Sequence, residues 1–472
     1  MVTSPAAPAA SNPDEDLLPG TRRALLHRVA TGQAKGRAPS VTGAVLRDGR
    51  LAWSGSRSML AGHEPDSDTQ YRIGSLTKTF VAVLIMRLRD EGRLDLADPV
   101  GKHLDALAAG PAGSLTIAQL LSHTGGLISE SRGPWWERVP GEAWPDLPDV
   151  LVDQPLRHPP GRVFHYSNAG FALLGGVVGR LRGEPWGEVV QREILAPLGM
   201  TRTTLMPAEP HARGFAVHPW ADVMQPEPAE DAGHMGPAGQ LWSTTADLCR
   251  FGAFLLAGDA RVLRAATLAE MATPASGPNT NDWTSGYGLG LQLARRDGRL
   301  LYGHTGTMPG FVSALWVSQQ EGLAGVALSN ATMAVDSGSV AADLIAIVAD
   351  REPRLPARWK PLAEVDTSLL DLTGLWYWGP SPIVVRLLAD RGLELTPQSV
   401  GRGSRFRAEA DGTWTGLDAY YAGETLRVVR RDDGQADHLD LGTFIFTRQP
   451  YHPDAPTAAQ PHPDGWRGFA RE

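Results

Sequence analysis

A serine that stands three residues before a lysine, at the start of an apolar segment, constrains this sequence more than any other feature. The pair is Ser75 and Lys78, and apolar residues follow at helical spacing from Val81 to Leu88. Residues three apart share one face of a helix, so the Ser75 hydroxyl and the Lys78 amine can come within hydrogen-bond distance. The segment therefore predicts a buried helix that begins with a polar pair.

The lysine is an unusual choice in this chain, because only four of its 44 basic residues are lysine. Arginine keeps its proton at any working pH, whereas a buried lysine can lose it and act as a base. Burial and the positive end of the helix dipole would both disfavour a charged Lys78, and a neutral amine can take the proton of Ser75 as it attacks a carbonyl. The alternative is an ordinary helix start with a lysine that reaches solvent, and the motif alone leaves both open.

A second polar group, Tyr166-Ser167-Asn168, follows a Pro-Pro-Gly turn and precedes another apolar helical run, so we predict it on a loop. A tyrosine held near a lysine cation can be driven toward phenolate and can pass a proton to a leaving group. Asn168 offers an amide donor and an acceptor to a substrate carbonyl and to the lysine. The alternative is that Asn168 simply caps the helix.

A third group, His304-Thr305-Gly306-Thr307, is predicted on a strand that is followed by a turn. Glycine on such a strand lets a backbone approach a ligand closely. The tripeptide His-Thr-Gly also occurs at residues 123–125, where it closes a helical pattern. We interpret that copy as a structural C-cap, because glycine is favoured just past a helix end.

In this order, the Ser-x-x-Lys, Tyr-Ser-Asn and His-Thr-Gly motifs resemble those of the serine β-lactamase and penicillin-binding protein superfamily. The branch that this chain resembles holds class C β-lactamases, DD-carboxypeptidases, D-aminopeptidases and related esterases, and the likeness runs from about residue 21 to about residue 350. It implies an α+β fold, in which helices and a mostly helical lobe flank an antiparallel sheet. It also implies a nucleophile (Ser75), a proton-handling pair (Lys78, Tyr166), substrate-binding residues (Asn168, His304, Thr305, Gly306, Thr307) and an oxyanion hole from the N–H groups of Ser75 and Thr307.

The sequence departs from class C enzymes at the third motif, where those enzymes typically carry Lys-Thr-Gly and the lysine helps to bind a β-lactam carboxylate. His304 has an ordinary pKa of about 6.5, which predicts a switchable donor or acceptor near neutral pH. We therefore expect a serine hydrolase that forms an acyl-enzyme on a small ester or amide, as an esterase or a D-amino-acid peptidase does. The alternatives are a β-lactamase or DD-carboxypeptidase and, in a different class, a silent relative that only binds a ligand.

A Pro-rich joint at residues 351–356 predicts two folded domains. We expect a disordered tail (1–20), a β-lactamase-like serine hydrolase domain (21–352), a small antiparallel β-barrel (366–450) and a second disordered tail (451–472). Seven strand-like runs joined by short turns predict the barrel, which resembles the lipocalin-like C-terminal domain of some hydrolases of this family. In the first domain we expect helices at 21–34 and 337–350, a hairpin at 41–55 and strands at 287–294, 300–304, 311–318 and 323–329.

Composition limits the partners that this chain is expected to have. The net charge is −8 and the arginines are scattered, so we expect no nucleic acid partner. We expect no membrane span, because no apolar run approaches about 18 residues. The start of the chain lacks the pattern of a secretory signal, so a cytoplasmic location is expected.

We expect a small-molecule ester or amide as substrate, no cofactor and no metal, because the histidines at 211, 218 and 234 lack ligand spacing. Oligomeric state is not predicted. The tryptophan-rich loop from Trp135 to Trp144 is either a lid or pocket wall, or a site of local packing.

Overall fold

The computed structural model describes residues 17–60, 64–131, 135–141, 154–276, 284–332, 335–356, 358–364, 366–399 and 401–450. The chain divides into two compact units, Met1–Arg354 and Leu355–Glu472. Each unit has hydrophobic core residues of its own.

The first unit is built on a seven-stranded antiparallel sheet with the strand order β2-β1-β11-β10-β9-β8-β7. Its strands are β1 (Ser40–Arg47), β2 (Arg50–Ser58), β7 (Ser285–Tyr287), β8 (Gln292–Arg296), β9 (Arg299–Met308), β10 (Phe311–Ser318) and β11 (Leu323–Ser329). Two small ladders pair β3 (Tyr71–Arg72) with β6 (Trp242–Ser243), and β4 (Phe215–Val217) with β5 (Met224–Pro226). Strands β10 and β11 are buried along their whole length, as expected for strands with both faces covered.

The helices of this unit are α1 (Pro19–Lys35), α2 (Thr77–Asp90), α3 (Ile117–Leu121), α4 (Asn168–Arg182), α5 (Trp186–Val190), α6 (Ala196–Leu198), α7 (Gly236–Gly239), α8 (Thr245–Ala257), α9 (Ala265–Met271) and α10 (Ser337–Arg351). A π-helical segment, Gln191–Leu195, joins α5 to α6, and short 3₁₀ turns lie at Gly74–Leu76, Val100–Lys102, Asp105–Leu107, Pro111–Ser114 and Gly233–Met235.

The two faces of the sheet carry separate cores. Helices α1 and α10, predicted at residues 21–34 and 337–350, pack on one face through side chains that include Leu25 and Leu344. Helix α8 packs on the other face, and α2 and α4, which pack against each other, belong to the same core. Helix α2 is apolar around most of its circumference and is buried from Thr77 to Met86, which makes it the central helix of the unit.

Two boundaries differ from the predictions for this unit. Helix α1 begins at Pro19, inside the predicted disordered tail of residues 1–20, since proline suits the first turn of a helix. The predicted strand at residues 287–294 is two strands, β7 and β8, because Gly290 adopts a φ of +75° and turns the chain. Residues 1–16 of the N-terminal tail lie outside the described residues, as does the predicted tail at residues 451–472.

The second unit contains a closed antiparallel barrel of eight strands. The strands are β12 (Gly374–Trp378), β13 (Ser381–Leu387), β14 (Leu393–Pro397), β15 (Ser404–Ala408), β16 (Trp414–Gly416), β17 (Thr425–Arg430), β18 (Ala436–Leu441) and β19 (Phe444–Thr447), with a short helix α11 (Thr367–Leu370) and a 3₁₀ turn at Ala419–Tyr421. Strand β18 was not predicted from the sequence. That strand contains two aspartates, which are rare in strands, and a bulge in its partner β17 shifts the register.

In the part of the chain that the structure describes, no helix combines the length and the apolar character needed to cross a membrane.

Candidate active site

The structure brings Ser75 and Lys78 together at the start of α2. Ser75 lies half-buried in the 3₁₀ turn, and Lys78 lies in the first turn of the helix with its side chain fully buried. The Lys78 Nζ is 2.9 Å from Ser75 Oγ and donates a hydrogen bond of 2.6 Å to the carbonyl oxygen of Ala238. A neutral amine can keep that donation and accept the Ser75 proton through its lone pair.

Burial sets the charge of Lys78. Desolvation lowers its pKa from 10.5 to about 7, and the carboxylates of Glu130 and Glu137 oppose that shift. The amine also lies at the positive end of α2, which disfavours the charged form further. Near neutral pH a substantial fraction of Lys78 is therefore uncharged, as a base requires.

Tyr166 completes a buried polar cluster around the serine. Its ring centroid is 5.0 Å from the Lys78 Nζ, and its hydroxyl hydrogen-bonds the Ser75 side chain. Burial raises the pKa of Tyr166 above its ordinary value of 10, so the phenol keeps its proton. The expectation of a phenolate beside a lysine cation is therefore wrong, because the same burial that favours the neutral amine also favours the neutral phenol.

Asn168 is the first residue of α4, and its side chain is not the cap. Ser167 has that role, because its Oγ accepts a 2.9 Å hydrogen bond from the N–H of Gly170. The Asn168 amide nitrogen instead donates to Glu130 Oε1 at 2.6 Å. The Asn168 Oδ1 is buried and has no hydrogen-bond partner, so it remains available to a donor on a substrate.

Glu130 is a residue at this site that the sequence analysis did not single out. Besides Asn168, it accepts a 2.9 Å hydrogen bond from Trp136 Nε1, which places part of the tryptophan-rich loop at the site. Trp135 is exposed, and Trp144 lies outside the described residues. No motif marks Glu130 in the sequence, since its contacts come from residues 6 and 38 positions away.

The third motif lies on β9 beyond the point where β8 stops pairing with it, at Gly303. The Thr305 N–H and Oγ1 both donate to Gln292 Oε1, at 3.0 and 3.1 Å, so this N–H points away from β10. Because N–H direction alternates along a strand, the N–H of Thr307 points to the same open edge.

The open edge of β9 meets the turn that carries Ser75. A Cβ atom on Gly74 would lie 2.7 Å from the Thr307 nitrogen, and one on Gly306 would lie 1.9 Å from the carbonyl oxygen of Ile73. The two glycines therefore permit a backbone approach that a side chain would block. This approach sets the N–H of Thr307 beside the 3₁₀ turn that carries the N–H of Ser75, the arrangement that an oxyanion hole requires.

His304 does not behave as the predicted switch. Its Nε2 accepts from the Tyr287 hydroxyl at 3.0 Å, and its Nδ1 donates to the carbonyl oxygen of Thr305. Burial, with the nearby Lys78, lowers its pKa from 6.5 to about 3, so the imidazole stays neutral across the physiological range. Both ring nitrogens have partners within the protein, which fixes the orientation of the His304 ring; substrate binding by His304 stays a prediction.

The second His-Thr-Gly copy also lies beside the site. It closes α3 as expected, but the left-handed residue is His123, with φ +56°, rather than Gly125. The His123 ring centroid is 4.2 Å from that of Tyr166, and its Nδ1 accepts the N–H of Ser167 at 3.1 Å. His123 therefore holds the Tyr166 loop in place.

Among the described residues, no group of three or more His, Cys, Asp or Glu side chains is arranged to hold a metal ion. The side chains gathered around Ser75 are those of general base and acid chemistry on a carbonyl.

Comparison with known proteins shows the family of this chain. The beta-lactamase family model matches residues 25–350. The chain belongs to the beta-lactamase family. A domain of unknown function, DUF7586, matches residues 365–448, which lie in the unit with the barrel.

Relatives of this beta-lactamase family member include penicillin-binding protein 4 of Amycolatopsis lactamdurans. It is 31% identical over 319 residues, which is 63% of this chain and 82% of the relative. A D-stereospecific amidohydrolase from a Streptomyces species has a solved structure with 29% identity and a TM-score of 0.59, over 71% of this chain and 99% of that one.

A class C beta-lactamase from Rhodobacter sphaeroides has the same fold with 19% identity and a TM-score of 0.59, over 69% of this chain and 99% of that one. The predicted family and fold class are thus confirmed.

Proposed function

We propose that this beta-lactamase family member is a serine hydrolase that forms an acyl-enzyme on amides and esters of D-amino acids whose α-amino group is free. One observation carries the hydrolase assignment: the buried Lys78 Nζ lies 2.9 Å from Ser75 Oγ and has a pKa of about 7. A serine beside such a base is an activated nucleophile.

Acylation begins as Ser75 Oγ attacks the substrate carbonyl carbon while its proton passes to the Lys78 Nζ. The carbonyl oxygen becomes an oxyanion between the N–H groups of Ser75 and Thr307. Each preorganised donor of this kind contributes on the order of 3 kcal/mol to the transition state. The rigid contact of Gly74 with the Thr307 backbone keeps the two donors in place before substrate arrives.

The leaving group departs with a proton that Tyr166 can deliver. Its neutral phenol hydrogen-bonds Ser75 and can give its proton to the leaving nitrogen or oxygen while it takes one from the Lys78 ammonium. The C–N or C–O bond breaks and the acyl group remains on Ser75 Oγ. Water then attacks the acyl carbon and gives a proton to the base. The bond between the acyl carbon and Ser75 Oγ breaks, Ser75 Oγ takes the proton back from the base, and the acid leaves.

The preference for a free amine rests on Glu130. Its carboxylate lies against Asn168, and among the described residues the groups that donate to it are the neutral side chains of Asn168 and Trp136. A carboxylate at the site complements an ammonium on the substrate. The unpartnered Oδ1 of Asn168 offers a second acceptor nearby.

The neutral His304 argues against substrates that need a fixed cation at the third motif. With a pKa of about 3 it carries no charge at pH 7, so it offers no ion pair to the carboxylate of a β-lactam or of a peptide that ends in D-Ala-D-Ala. A DD-carboxypeptidase is the second candidate, because penicillin-binding protein 4 of Amycolatopsis lactamdurans is 31% identical. The D preference is supported by the amidohydrolase neighbour with 29% identity.

A substrate panel tests the proposal on the parent protein and on Ser75→Ala. It contains D- and L-phenylalaninamide, N-acetyl-D-phenylalaninamide, p-nitrophenyl acetate, nitrocefin and a peptide that ends in D-Ala-D-Ala. We expect D-phenylalaninamide to have the highest kcat/KM among the amides. For N-acetyl-D-phenylalaninamide, kcat/KM should be at least about tenfold lower, since this compound lacks the ammonium group.

The Glu130→Gln variant tests the preference for an amine-bearing substrate independently of the hydrolytic step. This substitution should lower kcat/KM for D-phenylalaninamide at least about tenfold, mostly by raising KM. It should leave kcat/KM for p-nitrophenyl acetate within about threefold of the parent value. Turnover of nitrocefin or of the D-Ala-D-Ala peptide above that of the amides would contradict the substrate class. Equal activity of Ser75→Ala and the parent on every compound would contradict the hydrolase assignment and favour a binding protein.

A further inference from the structure

The barrel of the second unit holds a cavity of about 140 Å³ at one end. Its lining is mainly aromatic and aliphatic, with Arg402 as the charged member, and includes Trp378, Ile383, Tyr421, Phe444 and Phe446. Phe446 and Ile383 belong to the buried barrel core, whereas Trp378 is about half exposed, at 49%. The cavity therefore runs from the core to the barrel surface.

The walls of the cavity are packed against one another. The ring centroid of Phe444 lies 5.7 Å from that of Trp378 and 5.7 Å from that of Tyr421. These separations are typical of interacting aromatic pairs, which restrict each other's orientation. The space between them is therefore preformed, and its volume is close to the roughly 150 Å³ of an engineered apolar cavity that binds benzene.

Arg402 lines this cavity, and its guanidinium group carries a positive charge. Its guanidinium carbon lies 3.7 Å from the ring centroid of Tyr420 and 5.3 Å from that of Phe444, and its side chain hydrogen-bonds the Tyr421 hydroxyl. Among the described residues no carboxylate forms an ion pair with Arg402, although other arginines of the barrel, such as Arg386, have one. The guanidinium is thus oriented by rings and one hydroxyl, and its remaining donors are open to an anion.

We infer that this end of the barrel is a binding site for a small organic carboxylate that carries one ring or a short branched chain. The apolar group occupies the aromatic cavity, and the carboxylate accepts hydrogen bonds from the Arg402 guanidinium. Among the described residues, no acidic side chain lines the cavity, so the ligand is not expected to carry an ammonium group there. The inference does not depend on the activity proposed for Ser75.

The test is isothermal titration calorimetry of the full chain with 3-phenylpropanoate and with its neutral analogue 3-phenylpropan-1-ol. We expect the acid to bind one molecule per chain, and the alcohol to bind at least about tenfold more weakly. Arg402→Gln should weaken binding of the acid by a similar factor. Arg386→Gln is the matched control, because Arg386 is an exposed barrel arginine that pairs with Glu394, and it should leave the affinity unchanged.

Three results would overturn the inference. They are the absence of measurable binding up to the solubility limit of the acid, equal binding of acid and alcohol, and binding of the acid that survives Arg402→Gln. The last result would place the acid elsewhere on the chain. Thermal unfolding of both variants verifies that they fold like the parent, which the exposure of both side chains favours.

Discussion

Lys78 and Arg402 both lie over aromatic rings, and they differ in burial and in chemistry. The Lys78 Nζ is 5.0 Å from the Tyr166 ring and is fully buried, so its pKa falls to about 7. The Arg402 guanidinium is 3.7 Å from the Tyr420 ring and is exposed to solvent. A buried lysine can release its proton, whereas an arginine holds its charge. The first arrangement suits proton transfer, and the second suits binding of an anion.

The surroundings of the two cations differ in the same way. The beta-lactamase unit buries several groups that titrate or hydrogen-bond, among them His123, Asn168 and His304 beside Lys78. Within the described barrel, Ser404 is the buried polar residue. Burying polar groups is unfavourable unless they are paired. Their concentration around Ser75 therefore marks the region where residues serve function at some cost in the free energy of folding.

The largest expected effect tests the need for a cation that can lose its proton. Lys78→Arg keeps the positive charge but removes the base, so kcat/KM should fall by about 10²–10⁴ on every substrate that the parent hydrolyses. Lys102→Arg is the control, because Lys102 is exposed and pairs with Asp98. Activity of Lys78→Arg within a few-fold of the parent would show that the amine is not the base.

The next effect tests the backbone contact that sets the oxyanion hole. Gly74→Ala introduces a Cβ atom 2.7 Å from the Thr307 nitrogen, so we expect kcat to fall by about 10²–10³ with a smaller change in KM. Gly92→Ala is a matched control. Gly92 also has a positive φ, +69°, but has open space around it, so that variant reports backbone strain without the clash.

If Gly74→Ala and Gly92→Ala lose the same activity, then strain rather than the position of Thr307 explains the loss. Thermal unfolding of both variants separates that outcome from misfolding.

The pH dependence of kcat/KM tests the charge of each group at the site. Lys78 acts in its neutral form, so on p-nitrophenyl acetate, which has no titrating group, kcat/KM should rise about tenfold per pH unit below about pH 7 and level off above it. The raised pKa of Tyr166 predicts no decline from its ionisation below pH 10. The His304 pKa of about 3 predicts no inflection near 6.5. A bell-shaped profile centred near pH 6.5 would contradict these assignments.

The smallest expected effect concerns Arg402 of the barrel and its affinity for a carboxylate. Arg402→Lys keeps the charge and loses the planar fork and its stacking on Tyr420, so the affinity for 3-phenylpropanoate should fall by about threefold to tenfold. Calorimetry of the parent, Arg402→Lys and Arg402→Gln measures the series. If Arg402→Lys binds the acid as weakly as Arg402→Gln does, then guanidinium geometry rather than charge accounts for the affinity.

Several parts of this molecule follow from local patterns in the chain. The spacing of Ser75 and Lys78 requires only that a helix begin there, because three residues along a helix return to the same face. Helix α10 and most barrel strands were predictable for a similar reason, since their apolar residues recur at a regular spacing within a short segment. Strand β18 was not, because its register depends on a bulge in its partner β17, and the β7–β8 turn was missed although Gly290 marks it locally.

By itself, the sequence determined which chemical groups are present, their order along the chain and the elements that carry them. The tertiary structure decided their charges and their neighbours. In the folded chain Glu130 contacts Asn168, His304 stays neutral near neutral pH, and Tyr166 keeps its proton. These outcomes depend on contacts between distant segments and on burial. Desolvation depends on everything packed around a group, and that information is absent from any local stretch of residues.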